Sequence, residues 1–108
     1  VRAEHLNPEQ TVEVLHIVQE ALSNVRKHAR ASEVTVRLQL ETGQQLGVYV
    51  EDNGVSIDPQ QVAQPTGNGL RNMQERASAL GGSLKIEPQP SRGTRVCVHV
   101  PTKARLSA

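Results

Sequence analysis

The sequence predicts a two-layer α+β sandwich, a mixed and mostly antiparallel sheet with helices on one face. Three observations lead there. Two segments repeat apolar residues every three or four positions, the helical period, while four shorter ones alternate apolar and polar residues, the strand period. Their order is helix, hairpin, irregular stretch, helix, hairpin, whereas a doubly wound parallel sheet needs strand and helix to alternate. A chain of 108 residues, 36% hydrophobic and 21% charged, suits one domain with its own core.

Asn7-Pro8-Glu9-Gln10 is a helix start: Asn7 as N-cap, Pro8 at the first helical position, Gln10 closing a capping box. Leu15, Val18, Leu22, Val25 and Ala29 then form an apolar stripe on a helix of about six turns. Residues 34–40 alternate strictly, as in a strand with one buried face, and Thr42-Gly43-Gln44-Gln45 reads as a turn. Leu46, Val48 and Val50 carry the hairpin partner. Residues 54–69 are irregular, with room for a short helix after Asp58-Pro59. Leu70, Met73, Ala77 and Leu80 mark a second helix, which Gly81-Gly82 stops as a C-terminal cap. Leu84 and Ile86 belong to a third strand, Val96, Val98 and Val100 to a fourth, and the tail after Pro101 is polar and frayed. The folded core spans about residues 7–101.

Composition removes several function classes. Lys and Arg total 12 against 11 Asp and Glu, so there is no basic excess for duplex DNA. Tyr49 is the only aromatic residue, so the stacking platforms for single-stranded nucleic acid are missing; direct nucleic-acid binding is not expected. No apolar run approaches the roughly 20 residues that cross a bilayer. With Cys97 alone, an intrachain disulfide and a cysteine-based zinc site are excluded, and a reducing compartment fits. The opening Val1-Arg2-Ala3-Glu4 lacks a Met and a secretory leader, which reads as a module excised from a longer polypeptide.

Four places hold candidate chemistry. At 100° per residue Glu20, Asn24 and Lys27 share a narrow arc of the first helix, with His28 at its edge, opposite the Leu15–Ala29 stripe. The arc is either a solvated face or a convergence of carboxylate, carboxamide, amine and imidazole on one object; Ile17 and Ala21 beside it imply partial cover. Asp52 follows Leu46, Val48 and Val50 at a period of two, which sends a carboxylate to the apolar face, where burial is costly without a partner. The alternative is that the strand ends at Glu51 and Asn53-Gly54 turns, leaving Asp52 exposed. Thr94 places a hydroxyl on the core face of the last strand, a position usually satisfied by backbone alone. Gly67-Asn68-Gly69-Leu70 precedes a helix, where glycines admit close approach and the helix N-terminus offers N–H groups to an anion. It is neither a dinucleotide fingerprint nor a Walker A loop.

Taken in order, four boxes resemble the ATP-binding module shared by histidine kinases, gyrase, Hsp90 and MutL, whose Bergerat-type fold is the sandwich derived above. They are the Gln19–Ala29 run, Glu51-Asp52-Asn53-Gly54, Gly67-Asn68-Gly69-Leu70 with Met73-Gln74-Glu75-Arg76-Ala77, and Gly93-Thr94-Arg95-Val96. The resemblance runs from about Asn7 to Pro101. Asn24-x-x-Lys27-His28, a short lid and Gly67-x-Gly69-Leu70 look most like the histidine kinase subgroup of nitrate/nitrite sensors of the NarX and NarQ type.

The resemblance implies ATP and Mg²⁺ as ligands. Asn24 would give Mg²⁺ a carboxamide oxygen, Glu20 would polarise a metal-bound water or the nucleophile, Lys27 would offset phosphate charge and His28 would border the nucleotide. Asp52 would accept a hydrogen bond from the adenine amine, and Thr94 would assist at the same edge. Gly54 would let the base pack on backbone; Gly67, Gly69 and Leu70 would line the phosphate lid. Where the family has a second glycine in this box the chain has Ser56, at about 1 kcal/mol or more if positive φ is required.

The reaction implied is γ-phosphoryl transfer to a histidine on an upstream dimerisation domain, then to the receiver domain of a response regulator. None of His5, His16, His28 or His99 has such a helical-hairpin context, so the isolated fragment, a monomer, is expected to bind Mg-ATP without phosphorylating itself. The full-length protein is expected to be a dimeric inner-membrane sensor with this domain in the cytoplasm. Two alternatives are a degenerate nucleotide sensor, motivated by Ser56, and a free-standing anti-sigma-type protein kinase of the same superfamily.

Overall fold

The computed structural model describes residues 6–41, 44–55 and 68–102, with the backbone alone at 28, 29 and 68–70. Helix α1 (Pro8–Asn24) runs into one π-helical turn (Val25–Ala29) and is followed by strands β1 (Val34–Glu41) and β2 (Gln45–Asp52). Helix α2 (Asn68–Ala79) and strands β3 (Ser83–Pro88) and β4 (Thr94–Pro101) complete the element order. The sheet runs β1-β2-β4-β3, and every neighbouring pair is antiparallel. Helices α1 and α2 pack on each other and on β2, β3 and β4. This is the two-layer sandwich that the element order predicts.

The local signals act as read. Asn7 accepts from the Gln10 backbone N–H at 2.7 Å while the Gln10 side chain accepts from the Asn7 N–H at 3.0 Å, a reciprocal capping box. The Gln10 carboxamide also donates to the Pro101 carbonyl at 2.9 Å, which ties the start of α1 to the end of β4. At the other cap Gly81 has φ +74°, and the Gly82 N–H reaches the Ala77 carbonyl at 3.0 Å, closing α2 with a six-to-one bond. The short helix after Asp58-Pro59, the Thr42-Gly43 part of the turn and the tail beyond 102 lie outside the described residues.

The apolar face of α1 is rotated from the expected stripe. Val14, Ile17 and Ala21 are buried, whereas Leu15 is 53% exposed and Val18 and Leu22 sit at the margin. Helix α1 is apolar over much of its circumference, so three- and four-residue spacing fits two stripes. The sheet covers the one in which Ala21 permits close approach.

Strand β1 departs in the same way. Val34, Val36, Leu38 and Leu40 sit opposite Asp52, Val50, Val48 and Leu46 and share their face, yet they are 41–46% exposed. They lie on the edge strand, and the helices cover β2, β3 and β4 instead.

The opposite face of the sheet is polar and cross-linked. Glu51 accepts from Arg95 Nε at 2.8 Å and from Arg37 Nη2 at 3.2 Å. Burial pushes its carboxyl up, but the two guanidinium groups outweigh that and hold it below the usual carboxylate value. Tyr49 donates to Glu41, which also meets His99 Nε2 at 2.8 Å. Cys97 is buried, and burial pushes its thiol up, the setting of an inert thiol.

Candidate functional site

Asp52 ends β2 on the buried face. It is 5% exposed, so the reading that placed it on the core side holds and the exposed-turn alternative does not. Its Oδ1 accepts from the Gly54 N–H at 2.8 Å. The second carboxylate oxygen has no hydrogen-bond partner among the described residues. A buried carboxylate satisfied on one side only is costly unless something else supplies a donor.

Thr94 begins β4. The last rung between β2 and β4 is Glu51 with Arg95, so Asp52 and Thr94 are neighbours at one end of the sheet. Thr94 is 9% exposed, and its hydroxyl donates toward the Val55 carbonyl at 3.5 Å. Gly54, whose N–H meets the Asp52 carboxylate, is buried.

The same end of the sandwich receives the end of α1. Asn53 Oδ1 accepts from the backbone N–H groups of Ser32 and Glu33, both at 3.0 Å, and its Nδ2 donates to Ser32 Oγ at 2.9 Å. The Asn53 N–H adds a bond to the Glu33 carbonyl at 3.3 Å. One side chain thus fastens the segment just beyond the π-helical turn to the tip of β2.

Glu20 and Asn24 follow Ile17 and Ala21 by three residues each, roughly 60° around the helix. They therefore flank the core face rather than oppose it, and both are half-buried. Lys27 leaves the expected arc: beyond Asn24 the turn is π-helical and wider, so 100° spacing no longer applies, and its side chain is exposed. His28 lies in the same turn.

Between α1 and α2 lies a cleft of about 220 Å³ lined by His16, Gln19, Glu20, Asn72, Met73 and Arg76. Arg76 closes one side through an ion pair with Glu13 at 2.5 Å. Gly69 and Leu70 open the first turn of α2, whose N–H groups point out of the helix start. Gly67 and Ser56 lie outside the described residues.

Mg²⁺ takes hard oxygen ligands and retains waters and substrate phosphates among them. The Asn24 carboxamide makes no hydrogen bond among the described residues and is half-buried, so its oxygen fits that role. No group of three His, Cys, Asp or Glu side chains among the described residues is placed to hold a metal.

Two residues of this region, Gln89 and Arg92, escape motif reading, and Gly93, which opens the fourth box, has a contact the motif does not announce. Gln89 Nε2 donates to the Asp52 carbonyl at 2.8 Å, and Arg92 Nε donates to the Gly54 carbonyl at 3.1 Å. Gly93, at φ +95°, lies so close to the Asp52 carbonyl that a Cβ would overlap it. The turn-rich Pro88–Gly93 stretch signalled a loop, but nothing in it signalled which strand end it grips.

The comparisons with known proteins agree with this geometry. Residues 9–104 match the family model of the histidine kinase-, DNA gyrase B-, and HSP90-like ATPases. The sensor histidine kinase LiaS of Bacillus subtilis is 43% identical over 88 residues, covering 82% of this chain and 24% of LiaS. The signal transduction histidine-protein kinase/phosphatase UhpB of Salmonella typhimurium is 40% identical over 98 residues, covering 91% of this chain and 19% of UhpB. The chain thus spans about a fifth to a quarter of the length of these relatives. Among solved structures, the histidine kinase domain of the Erythrobacter litoralis EL346 blue-light activated histidine kinase superposes with a TM-score of 0.74 at 28% identity, covering 86% of this chain and 45% of that one. Sequence match and architecture coincide over almost the whole chain, which belongs to the histidine kinase-, DNA gyrase B-, and HSP90-like ATPase family.

Proposed function

We propose that this chain is the ATP-binding catalytic domain of a two-component sensor histidine kinase, one domain of a longer sensor. The single observation that carries the reading is Asp52: a buried carboxylate with one oxygen unpartnered among the described residues, at the end of a strand, beside Thr94. Such a group selects a ligand that presents a hydrogen-bond donor. The adenine amine does so, whereas guanine presents a carbonyl at that position. An acceptor facing an acceptor can be worth discrimination of roughly 10⁴.

The remaining roles are those that the motif resemblance implies. Asn24 would hold Mg²⁺ together with the phosphates, and the ion would supply charge neutralisation there. Glu20, in the wall of the cleft, polarises the attacking nucleophile. Lys27 offsets phosphate charge from the exposed side, and His28 borders the nucleotide. Thr94 supports the adenine edge and Gly54 packs against the base. The start of α2, with Gly67, Gly69 and Leu70, receives the phosphates at a helix N-terminus.

The phosphoryl group passes to a histidine on an upstream dimerisation domain and then to a response-regulator receiver domain. The relatives' names as sensor kinases support this, and the isolated domain is expected not to phosphorylate itself. On the motif resemblance alone, we read the full protein as a dimeric, membrane-anchored sensor with this domain on the cytoplasmic side. No helix among the described residues is long and apolar enough to cross a membrane. A nitrate or nitrite input rests on motif resemblance alone; the relatives found carry other names, and we attach no stimulus to the chain.

Titration calorimetry tests the reading. The wild-type chain should bind Mg-ATP and reject Mg-GTP, and Asp52→Asn should weaken ATP at least tenfold, about the worth of one charged hydrogen bond. No binding of Mg-ATP by the wild type would overturn it.

A further inference from the structure

We propose that Gln89 and Arg92, in the turn between β3 and β4, are positioning residues that set base selectivity by fixing the direction of the Asp52 carboxylate. The inference rests on the reading of Asp52 as the acceptor for the base.

Asp52 lies one residue past the last rung of the β2–β4 ladder, so the ladder itself does not hold its carbonyl on that side. The β3–β4 turn does. The turn is closed by its own backbone, with the Gln89 N–H donating to the Gly93 carbonyl at 2.9 Å, and this places the Gln89 side chain. The Gln89 carboxamide then donates to the Asp52 carbonyl at 2.8 Å, and Arg92 Nε donates to the Gly54 carbonyl at 3.1 Å.

The carboxylate is geared to the same three residues. Asp52 Oδ1 accepts from the Gly54 N–H, so the side-chain torsion follows the backbone of residues 52–54. Holding both flanking carbonyls fixes that backbone, and with it the direction of the second carboxylate oxygen. Asn53 anchors the opposite side of the segment to Ser32 and Glu33, so the turn residues need hold only one side. Neither Gln89 nor Arg92 has to touch the nucleotide to affect it.

A residue that merely stabilises the domain would weaken every nucleotide alike. One that aims Asp52 would weaken only nucleotides carrying the amine. The test is calorimetric binding, with Mg²⁺, of ATP, GTP and purine riboside triphosphate, which lacks the amine, to the wild-type chain, Gln89→Leu and Arg92→Leu. Thermal unfolding serves as a check on folding.

The expected result for Gln89→Leu is an ATP affinity about tenfold lower, the worth of one buried hydrogen bond, with purine riboside triphosphate changed less than about twofold. Arg92→Leu should show the same split at about threefold, and because Arg92 is exposed this variant keeps the test decisive if Gln89→Leu fails to fold. Equal weakening of ATP and the amine-less analogue, or unchanged ATP affinity in both variants, overturns the proposal while leaving Asp52 as acceptor. A wild type that binds ATP and purine riboside triphosphate equally well overturns the role of Asp52 itself, and this inference with it.

Discussion

The backbone of Gly93 lies against the carbonyl of Asp52, so closely that no side chain fits between them. Gly93 is also at φ +95°, a region costly for any residue with a Cβ. Packing and torsion therefore demand glycine at one position, and the contact sets the start of β4 against the end of β2. Thr94 owes its place beside Asp52 to its neighbour.

Gly93→Ala should consequently damage the site and the fold together. We expect a loss of about 2 kcal/mol or more, from the φ penalty and the steric displacement of residue 52. For a domain of this size that is a fall in melting temperature of roughly 8 °C or more. Thermal unfolding and Mg-ATP titration on the same sample check both halves; a variant that melts with the wild type would show that the strand ends move apart freely.

Asn24 makes a metal-dependent prediction. If its carboxamide oxygen reaches Mg²⁺, Asn24→Ala should weaken Mg-ATP about tenfold, the worth of one hydrogen-bond-strength contact to a charged group. In EDTA, wild type and variant should bind ATP alike. Equal loss with and without the ion would assign Asn24 to the nucleotide directly.

The edge strand separates burial from hydropathy. Leu38 and Leu46 are both leucines on the core-facing side of the sheet, but Leu38 is 46% exposed and Leu46 is fully buried. Leu46→Ala should cost about 2–5 kcal/mol and Leu38→Ala under about 1 kcal/mol. Denaturant unfolding reads the difference. A similar cost for both would place a cover over β1.

That contrast also marks what the sequence makes legible. Caps and hairpins follow from local chemistry and a period of two, and the structure has them; for Asp52 the period of two offers the core face and the Asn53-Gly54 turn offers solvent, and the structure takes the first. The side of α1 that meets the sheet does not follow, because Leu15 and Ile17 are equally apolar and only the neighbouring layer chooses between them. The exposure of Leu38 has the same origin: strand order decides which strand is the edge, and alternation says nothing of order. At the site, Asp52 draws attention as a carboxylate at the end of an apolar strand face, whereas Thr94 and Asn24 are ordinary alone and gain their roles only from the order of the four boxes. Gln89 and Arg92 draw no attention, since a polar residue in a turn is ordinary until its partner 37 or 38 residues away is known.

Tyr49 offers a spectroscopic test of the polar face. Its hydroxyl donates to Glu41, and that bond, reinforced by burial and nearby negative charge, pushes its pKa up to about 12 from 10.0. The folded state thus holds the proton more tightly than the unfolded state. The stabilisation is complete below pH 10 and is lost as pH rises through about 12. Tyr49 is the only tyrosine and there is no tryptophan, so phenolate absorbance reports this group alone. We expect a folded-state midpoint near 12, one near 10 in denaturant, and a clear drop in the folded value for Glu41→Gln. A folded midpoint near 10 in the wild type would mean that the Tyr49–Glu41 bond does not persist in solution.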